Sequence, residues 1–502
     1  MKEGFEVIGS RGVIATGPKE GARAGARTFQ SGGNAMDAVA AACLVCAVME
    51  PQAVDLGGYV FAAVLLDGKT GRIWSIDSNS VAPLAAREDM FEVLPLRSGA
   101  PGVTLGINEI EYGCSVRDDA NIYGPLSVAV PGFMAGVGTM WERWGRLSWP
   151  TVIAPARELV DEGLSYSLVR ESILAKRDAI ARFPSTASML LPEGAVPDSQ
   201  RRWDRDDLRN TLGRLEANGW RDFYEGEIGR AIADFVAAQG GILTRDDMVA
   251  FAPRVTEPLS SKYLDAEIHT AIAPNGGFSV LEALSDRGVA ELPSDSDPRY
   301  WTRWAAVLER TWNLRLNPAR AGATPHGTVH VAASDREGNL VSATISQGGL
   351  FGSCMAVPGS GIILGHGMCR FDPRAGLDNS PGPRKRPLNN VCPLIIRTAD
   401  RDIAIGARGG RRIVSVLPQM AQRIVDYGVS TREASSAPRM HSMDGATLEV
   451  SHNFDPDVRR ALESMGHRVE VPNEVAGAAH GAEIMKSTGQ LRAGGNTWAA
   501  GF

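Results

Sequence analysis

Two runs of alternating apolar and small polar residues flank a short polar turn in the second half of the chain. The first is His326-Gly327-Thr328-Val329-His330-Val331-Ala332-Ala333, the turn is Ser334 to Asn339, and the second is Leu340-Val341-Ser342-Ala343-Thr344-Ile345-Ser346. Period-two alternation interrupted by a Gly- and Asn-containing turn predicts a β-hairpin. With the turn centred between Arg336 and Glu337, Thr328 falls within about one residue of opposite Ser346, where cross-strand side chains touch. A hydroxyl at the start of one strand then faces a hydroxyl at the end of its partner.

That pairing has a chemical reading. A Thr hydroxyl is a weak nucleophile until a base takes its proton. If the chain breaks after Gly327, Thr328 carries its own base, an α-amine with a pKa of about 7.7–8.0. Gly327 has no Cβ and permits the strained backbone that an N-to-O acyl shift requires. On the motif alone, the commoner reading of Thr328 is still an ordinary β-branched strand residue.

A second feature is Ile403-Ala404-Ile405-Gly406, a strand, followed by Ala407-Arg408-Gly409-Gly410 and a helix opening at Arg411. Backbone N–H groups at a helix N-terminus favour an anion, and paired glycines allow close approach, so Gly409 and Gly410 suit an oxyanion or a phosphate. A plain glycine turn fits equally well. Arg408, Arg411 and Arg412 read as solvated arginines. No Gly-x-Ser-x-Gly elbow, Walker spacing or Gly-x-Gly-x-x-Gly occurs. His326-x-x-x-His330 lacks the Glu of a zinc-protease motif and lies on strand-like sequence. No metal and no cofactor is expected.

Composition excludes several classes. Over 502 residues the net charge is −6, which argues against non-specific nucleic-acid binding. The longest apolar stretch, Ala38 to Met49, is too short to span a bilayer. The first ten residues contain no apolar leader, so a cytoplasmic location is expected. The six cysteines, including Cys43-x-x-Cys46, read as buried thiols rather than a redox or metal site.

Along the chain, strands are predicted over 11–16, 56–66 and 72–76, and helices over 19–30 and 35–49, the second capped by Asn34. Residues 90–123 read as a loop-rich surface insertion, and 126–163 as helical. Amphipathic helices follow over 207–219 and 228–240, with a Trp- and Arg-rich helix over 299–315. Residues 316–326 form a connector. A strand pair over 393–397 and 402–406 precedes an apolar helix over 413–427. Helices and strands in this order describe a mixed sheet with helices on its faces.

Motifs spread over most of the chain resemble the γ-glutamyltransferase family of N-terminal-nucleophile (Ntn) hydrolases. They are Ser31-Gly32-Gly33-Asn34-Ala35-Met36-Asp37-Ala38, Glu50-Pro51, Leu56-Gly57-Gly58, Ala129-Val130-Pro131-Gly132, Phe223-Tyr224-Glu225-Gly226, Thr328-x-His330, Gly338-Asn339-x-Val341-Ser342, Lys385-Arg386-Pro387-Leu388, Gly409-Gly410 and Ala437-Pro438-Arg439-Met440-His441. The resemblance implies an α+β, four-layer αββα sandwich. It also implies cleavage between Gly327 and Thr328 into a large subunit (1–327) and a small subunit (328–502) that interleave as one unit. Thr328 matches the family nucleophile, Ser346 stands where the family has a supporting Thr, and Gly409-Gly410 match the oxyanion hole.

The departures from the family cluster in its substrate clamp. Asn79 stands where the family has an Arg for the substrate α-carboxylate, and Arg370 where it has an Asp for the α-ammonium. Asn389-Asn390 replace paired serines, and Gly348 replaces an Asn. The expectation is therefore a self-processing amidohydrolase or acyltransferase acting on a non-γ-glutamyl, anionic small-molecule amide, with Asn79, Arg370, Asn389 and Asn390 as substrate-binding residues. Two rivals stand beside it: a true γ-glutamyl hydrolase or transferase whose clamp has moved to Arg408 or Arg411, and an unprocessed relative that binds a small ligand without turnover. Its partners are its own two subunits; the oligomeric state is open.

Overall fold

The computed structural model describes residues 1–94, 112–287, 294–316, 327–472 and 478–502. Its centre is one 13-stranded ladder. The strands are β1 (Lys2–Gly9), β2 (Gly12–Thr16), β3 (Val60–Leu66), β4 (Ile73–Asn79), β5 (Arg254–Thr256), β6 (Leu259–Tyr263), β7 (Ala266–Thr270), β8 (Gly327–Asp335), β9 (Leu340–Gly348), β10 (Leu394–Arg397), β11 (Arg401–Ala407), β12 (Ala479–Met485) and β13 (Leu491–Gly501). They run in the order β6-β7-β10-β11-β12-β13-β2-β8-β9-β3-β4-β5, with β1 also on β13. Every neighbouring pair is antiparallel.

This ladder folds over on itself. The first half of β13 pairs with β12 and its last residues pair with β2, so β13 carries the chain from one leaf to the other. Strands far apart in the ladder then face each other: Ser342 Oγ on β9 donates to Ile405 O on β11 at 2.9 Å, and His480 Nε2 on β12 meets His330 O on β8 at 2.8 Å. The alternation along β8 separates two environments. Val329, Val331 and Ala333 pack outward in the largest core cluster, while Ala332 packs inward with Ala404 and Ala482 of the opposite leaf.

Helices cover both outer faces. α1 (Lys19–Gln30), α2 (Ala35–Met49), α3 (Phe133–Trp144) and α4 (Trp149–Glu162) cover the leaf containing β8. α5 (Gly277–Arg287) and α7 (Arg412–Tyr427) cover the other, with α6 (Pro298–Leu316) packed on α5. The order helix, sheet, sheet, helix is the αββα sandwich. Buried Ala and Val surround α2 on every face, and the Asn34–Asp37 capping box starts it. All six cysteines are buried thiols outside any disulfide, as their apolar settings implied.

The structure corrects two expectations. Of the stretch 90–123, the described part is loop-rich as expected but lies only partly at the surface. Cys114, Asn121 and Ile122 are buried, and Tyr112 Oη donates to Arg370 O at 2.7 Å. Tyr112 reaches inward while Arg117 and Glu92 pair with each other at the surface, a division that composition alone does not reveal. Residues 95–111 and the connector residues 317–326 lie outside the described residues. The second correction concerns the arginines after β11. Arg411 and Arg412 are buried, Arg412 against Glu449 at 2.7 Å and Arg411 with its Nη1 3.4 Å from Met443 Sδ.

Candidate active site

β8 and β9 pair with Thr328 opposite Ser346, as the hairpin pattern predicts. The register then slips: Gly327 pairs with Gly348, leaving Gln347 as an extra residue. A bulge bends a strand and re-aims its side chains. Here it turns Gln347 N–H onto Ala53 O at 2.8 Å and brings Gly348 N–H to Ser346 Oγ at 3.0 Å.

Ser346 Oγ also donates to Gly327 O and lies 3.1 Å from Thr328 Oγ1. A serine hydroxyl has one hydrogen. With that hydrogen on Gly327 O, the Thr328 hydroxyl must be the donor to Ser346. Ser346 therefore bridges the hydroxyl of Thr328 to the carbonyl just before it. A Cβ on Gly327 would come within 3.0 Å of Ala53 Cα, Gln52 O and Gly349 O, so this position accepts only glycine without rearrangement.

The turn after β11 approaches from the opposite leaf. Ser342 contacts Ile405 O, and Gly406 lies so close to the His330 ring that a Cβ would sit 2.2 Å from it. From these contacts β9 runs on to Ser346 and β11 runs on to Arg408-Gly409-Gly410. Gly409 and Gly410 have φ of 138° and 58°, and the turn's own hydrogen bonds begin with Arg412 N–H on Gly409 O. Among the described residues, the N–H groups of Gly409 and Gly410 make no backbone hydrogen bond. Arg408 Nη1 lies 3.9 Å from Glu50 Oε1, and burial pushes the Glu50 carboxyl up from its ordinary range. Glu50 O accepts from Ala53 and Val54 N–H, holding Ala53 against Gly327.

The predicted substrate residues form a second group. Asn79 and Asn389 are buried together: Asn389 Nδ2 lies 3.4 Å from Asn79 Oδ1, Asn79 Nδ2 donates to Pro387 O at 2.9 Å, and Tyr59 Oη donates to Asn389 Oδ1 at 2.9 Å. Tyr59 N–H in turn donates to Ser346 O at 3.0 Å, which ties this group to the hairpin. Asn390 Oδ1 accepts from Arg315 Nε at 3.2 Å. Arg370 closes the short turn Gly367–Arg370 beside the wall containing Tyr112.

Two residues were missed by the sequence reading. Arg315 sits at the end of α6, where only a Trp- and Arg-rich helix had been marked. His366 accepts from Gly349 N–H at 2.6 Å through Nε2, with Nδ1 3.1 Å from Ile122 O. Burial, with a further push from Arg370, lowers its pKa to about 3. A Cβ on Gly348 would lie 2.2 Å from the His366 ring, so the imidazole takes the space that a side chain at 348 would need. Among the described residues no His, Cys, Asp and Glu group could hold a metal ion, and no helix is long and apolar enough to cross a membrane.

The Gamma-glutamyltranspeptidase family model matches residues 21–315 and 296–502. Acylase ACY 1 proenzyme of Pseudomonas sp. (strain V22) is 30% identical over 516 residues, covering 93% of this chain and 89% of its own length. The glutathione hydrolase proenzyme of Pseudomonas sp. (strain A14) is 26% identical, covering 94% and 89%. The crystal structure of cephalosporin acylase from Bacillus halodurans superposes with a TM-score of 0.85 at 23% identity, over 100% of this chain and 98% of that one, which shows a shared fold.

Proposed function

The chain belongs to the gamma-glutamyltranspeptidase family of Ntn hydrolases, and from that premise we propose that Thr328 is its nucleophile, first for self-cleavage and then for turnover. The observation that carries this reading is the Ser346 hydroxyl bridging Thr328 Oγ1 and Gly327 O. In the unbroken chain, Thr328 Oγ1 attacks the Gly327 carbonyl carbon while Ser346 donates to the developing oxyanion. The C–N bond breaks as the hydroxyl proton passes to the Thr328 nitrogen, leaving an ester. Water hydrolyses the ester, freeing a Gly327 carboxylate and the Thr328 α-amine. The products are subunits 1–327 and 328–502.

In turnover, the α-amine takes the Thr328 hydroxyl proton, with a reference pKa of about 7.7–8.0. Oγ1 attacks the substrate amide, the Gly409 and Gly410 N–H groups receive the oxyanion, and the proton goes to the leaving amine. The acyl-enzyme then passes its acyl group to water, or to an amine.

The substrate is an anionic amide other than a γ-glutamyl amide. Asn79 and Asn389 bond to each other, to Tyr59 and to backbone, and supply no charge for an α-carboxylate. Arg370 in place of an acidic residue opposes a substrate ammonium, at a cost of about 2–5 kcal/mol where the pair is buried. The curated relatives carry both names, acylase and glutathione hydrolase. The competing reading, a γ-glutamyl enzyme using Arg411, draws on the burial of Arg411 at the start of α7.

Denaturing electrophoresis tests the first claim: purified protein gives two bands, and Thr328→Ala one. Processing that survived Thr328→Ala would rule the residue out. Fast turnover of a γ-glutamyl anilide would overturn the altered specificity.

A further inference from the structure

A cavity of about 600 Å³ is lined by none of the residues placed in the candidate active site. Three segments enclose it: the helix Pro184–Leu190, the start of the helix Asp206–Asn218, and the hairpin formed by Met355–Val357 and Ile362–Leu364. Met189, Pro192, Val357 and Pro358 supply an apolar wall. Arg205 also lines the cavity and is buried. Its guanidinium lies 4.3 Å from the centre of the Trp203 ring, and Nη2 donates to Gly361 O at 2.6 Å. Its Nε and Nη1 have no acceptor among the described residues. Asp55 is the acid paired with it, but Oδ2 stands 4.0 Å from Nη2, beyond hydrogen-bond reach. Asp55 is held at that distance: its Oδ1 accepts from Ile363 N–H at 3.1 Å, and its own N–H donates to Gln347 Oε1 at 3.3 Å. Burial pushes the Asp55 carboxyl up to about 7, so near neutral pH it supplies only part of a negative charge. A buried cation so poorly compensated costs free energy unless an anion joins it.

A second feature points the same way. Arg205 is the N-cap of the 13-residue helix Asp206–Asn218, and its side chain does not cap it. The N–H groups at such an end carry partial positive charge. Asp204 Oδ1 takes the first of them, Asp206 N–H, at 3.2 Å. Gly361, with φ of 68°, packs so closely over the next turn that a Cβ there would lie 2.7 Å from Leu208 N. Asp204, Asp206 and Asp207 are exposed at the rim, beside Arg201 and Arg202, and Asp206 pairs with Arg209. Charge is thus sorted by depth, positive inside and acidic outside.

We propose that this cavity is a second ligand site, separate from Thr328, which takes a small free monocarboxylate: its carboxylate goes to Arg205 at the start of the helix Asp206–Asn218, and its apolar body rests on Met189, Pro192, Val357 and Pro358. The buried guanidinium and the helix end attract one negative charge. The acidic rim opposes ligands carrying several, and the apolar wall favours a hydrocarbon body over a bare inorganic anion. A cation would meet Arg205 at the bottom of the cavity. Binding here does not depend on the reading of Thr328 as nucleophile.

Titration calorimetry on the purified full-length protein tests the site. The probes are benzoate and hexanoate, with benzylamine as the cation control and inorganic phosphate as the control without an apolar body. The expected result is that benzoate or hexanoate binds about 10-fold or more tighter than either control. Arg205→Met should remove that margin, and Ser188→Trp, which places a large ring on a lining position, should weaken carboxylate binding about 10-fold or more. Location is read separately by NMR of protein labelled with methyl-13C methionine: the Met189 methyl signal, assigned through Met189→Leu, should shift when benzoate is added. Carboxylates that bind no tighter than the controls would overturn the proposal. So would binding that persists undiminished in Arg205→Met and Ser188→Trp, or that leaves the Met189 signal unmoved, since it would then lie elsewhere. Circular dichroism checks that the variants fold; if Arg205→Met does not, Ser188→Trp and the Met189 signal decide.

Discussion

Ser346 carries one hydrogen and touches three groups, Thr328 Oγ1, Gly327 O and Gly348 N–H. Ser346→Ala removes the donor to the carbonyl under attack, so self-cleavage should slow by about 100-fold or more, and Ser346→Thr should restore most of it. A time course of band conversion measures both. A second local test concerns Gly348, which has φ of 99° and a Cβ position 2.2 Å from the His366 ring. Gly348→Ala should cost about 1–3 kcal/mol in urea unfolding. His366→Ala in the same chain should recover the steric part. His366 itself makes a prediction with a fixed sign. Its folded pKa is lowered to about 3 from 6.5, so its contribution to stability is complete above about pH 6.5 and erodes as pH falls toward 3. The urea-midpoint gap between wild type and His366→Gln should therefore narrow from pH 7.5 to 4.5; a widening gap would contradict this.

Among the elements, the β8–β9 hairpin was legible because its alternation is strict and its turn polar, and Asn34 announced α2 through its cap. Asp335 joins the two. Its carboxylate accepts from Ala35 N–H at the start of α2 and from Glu337 N–H, Asn339 N–H and Asn339 Nδ2 in the turn. Asp335→Ala should destabilise the fold by about 2–4 kcal/mol, measured by urea unfolding, because several buried donors lose their acceptor together. Other elements left no such mark. β12 and β13 are rich in Ala and Gly, which have low strand propensity. Those small residues answer to packing: a Cβ on Gly481 would lie 2.2 Å from Ala404 O, and one on Gly495 2.3 Å from the His480 Cβ. β1 is mostly exposed and offers no apolar alternation. Thr328 and Ser346 could be paired from the sequence because a hairpin fixes its own register. Arg315 could not be joined to Asn389 and Asn390, because that contact spans separate elements with no shared period.

Cleavage after Gly327 would not separate the molecule. β8 lies between β2 from the large piece and β9 from the small one, and β13 near the C-terminus pairs with both β1 and β2. The leaves pack face to face through Ala332, Ala404, Ala482 and Val64, mixing residues of both pieces in one core. The processed protein should therefore elute in size-exclusion chromatography as an undivided complex, and should resolve into two chains only under denaturant. Separate elution of the pieces under native conditions would mean that the ladder does not survive the break. The central claim, that Thr328 becomes the N-terminal nucleophile, is reached most directly by intact-mass spectrometry of the purified protein, before and after a slowly deacylating amide substrate is added. The account predicts two polypeptides divided between Gly327 and Thr328, with the acyl mass appearing on the fragment that begins at Thr328. A single full-length mass, a break at another bond, or an acyl group on the larger fragment would contradict it.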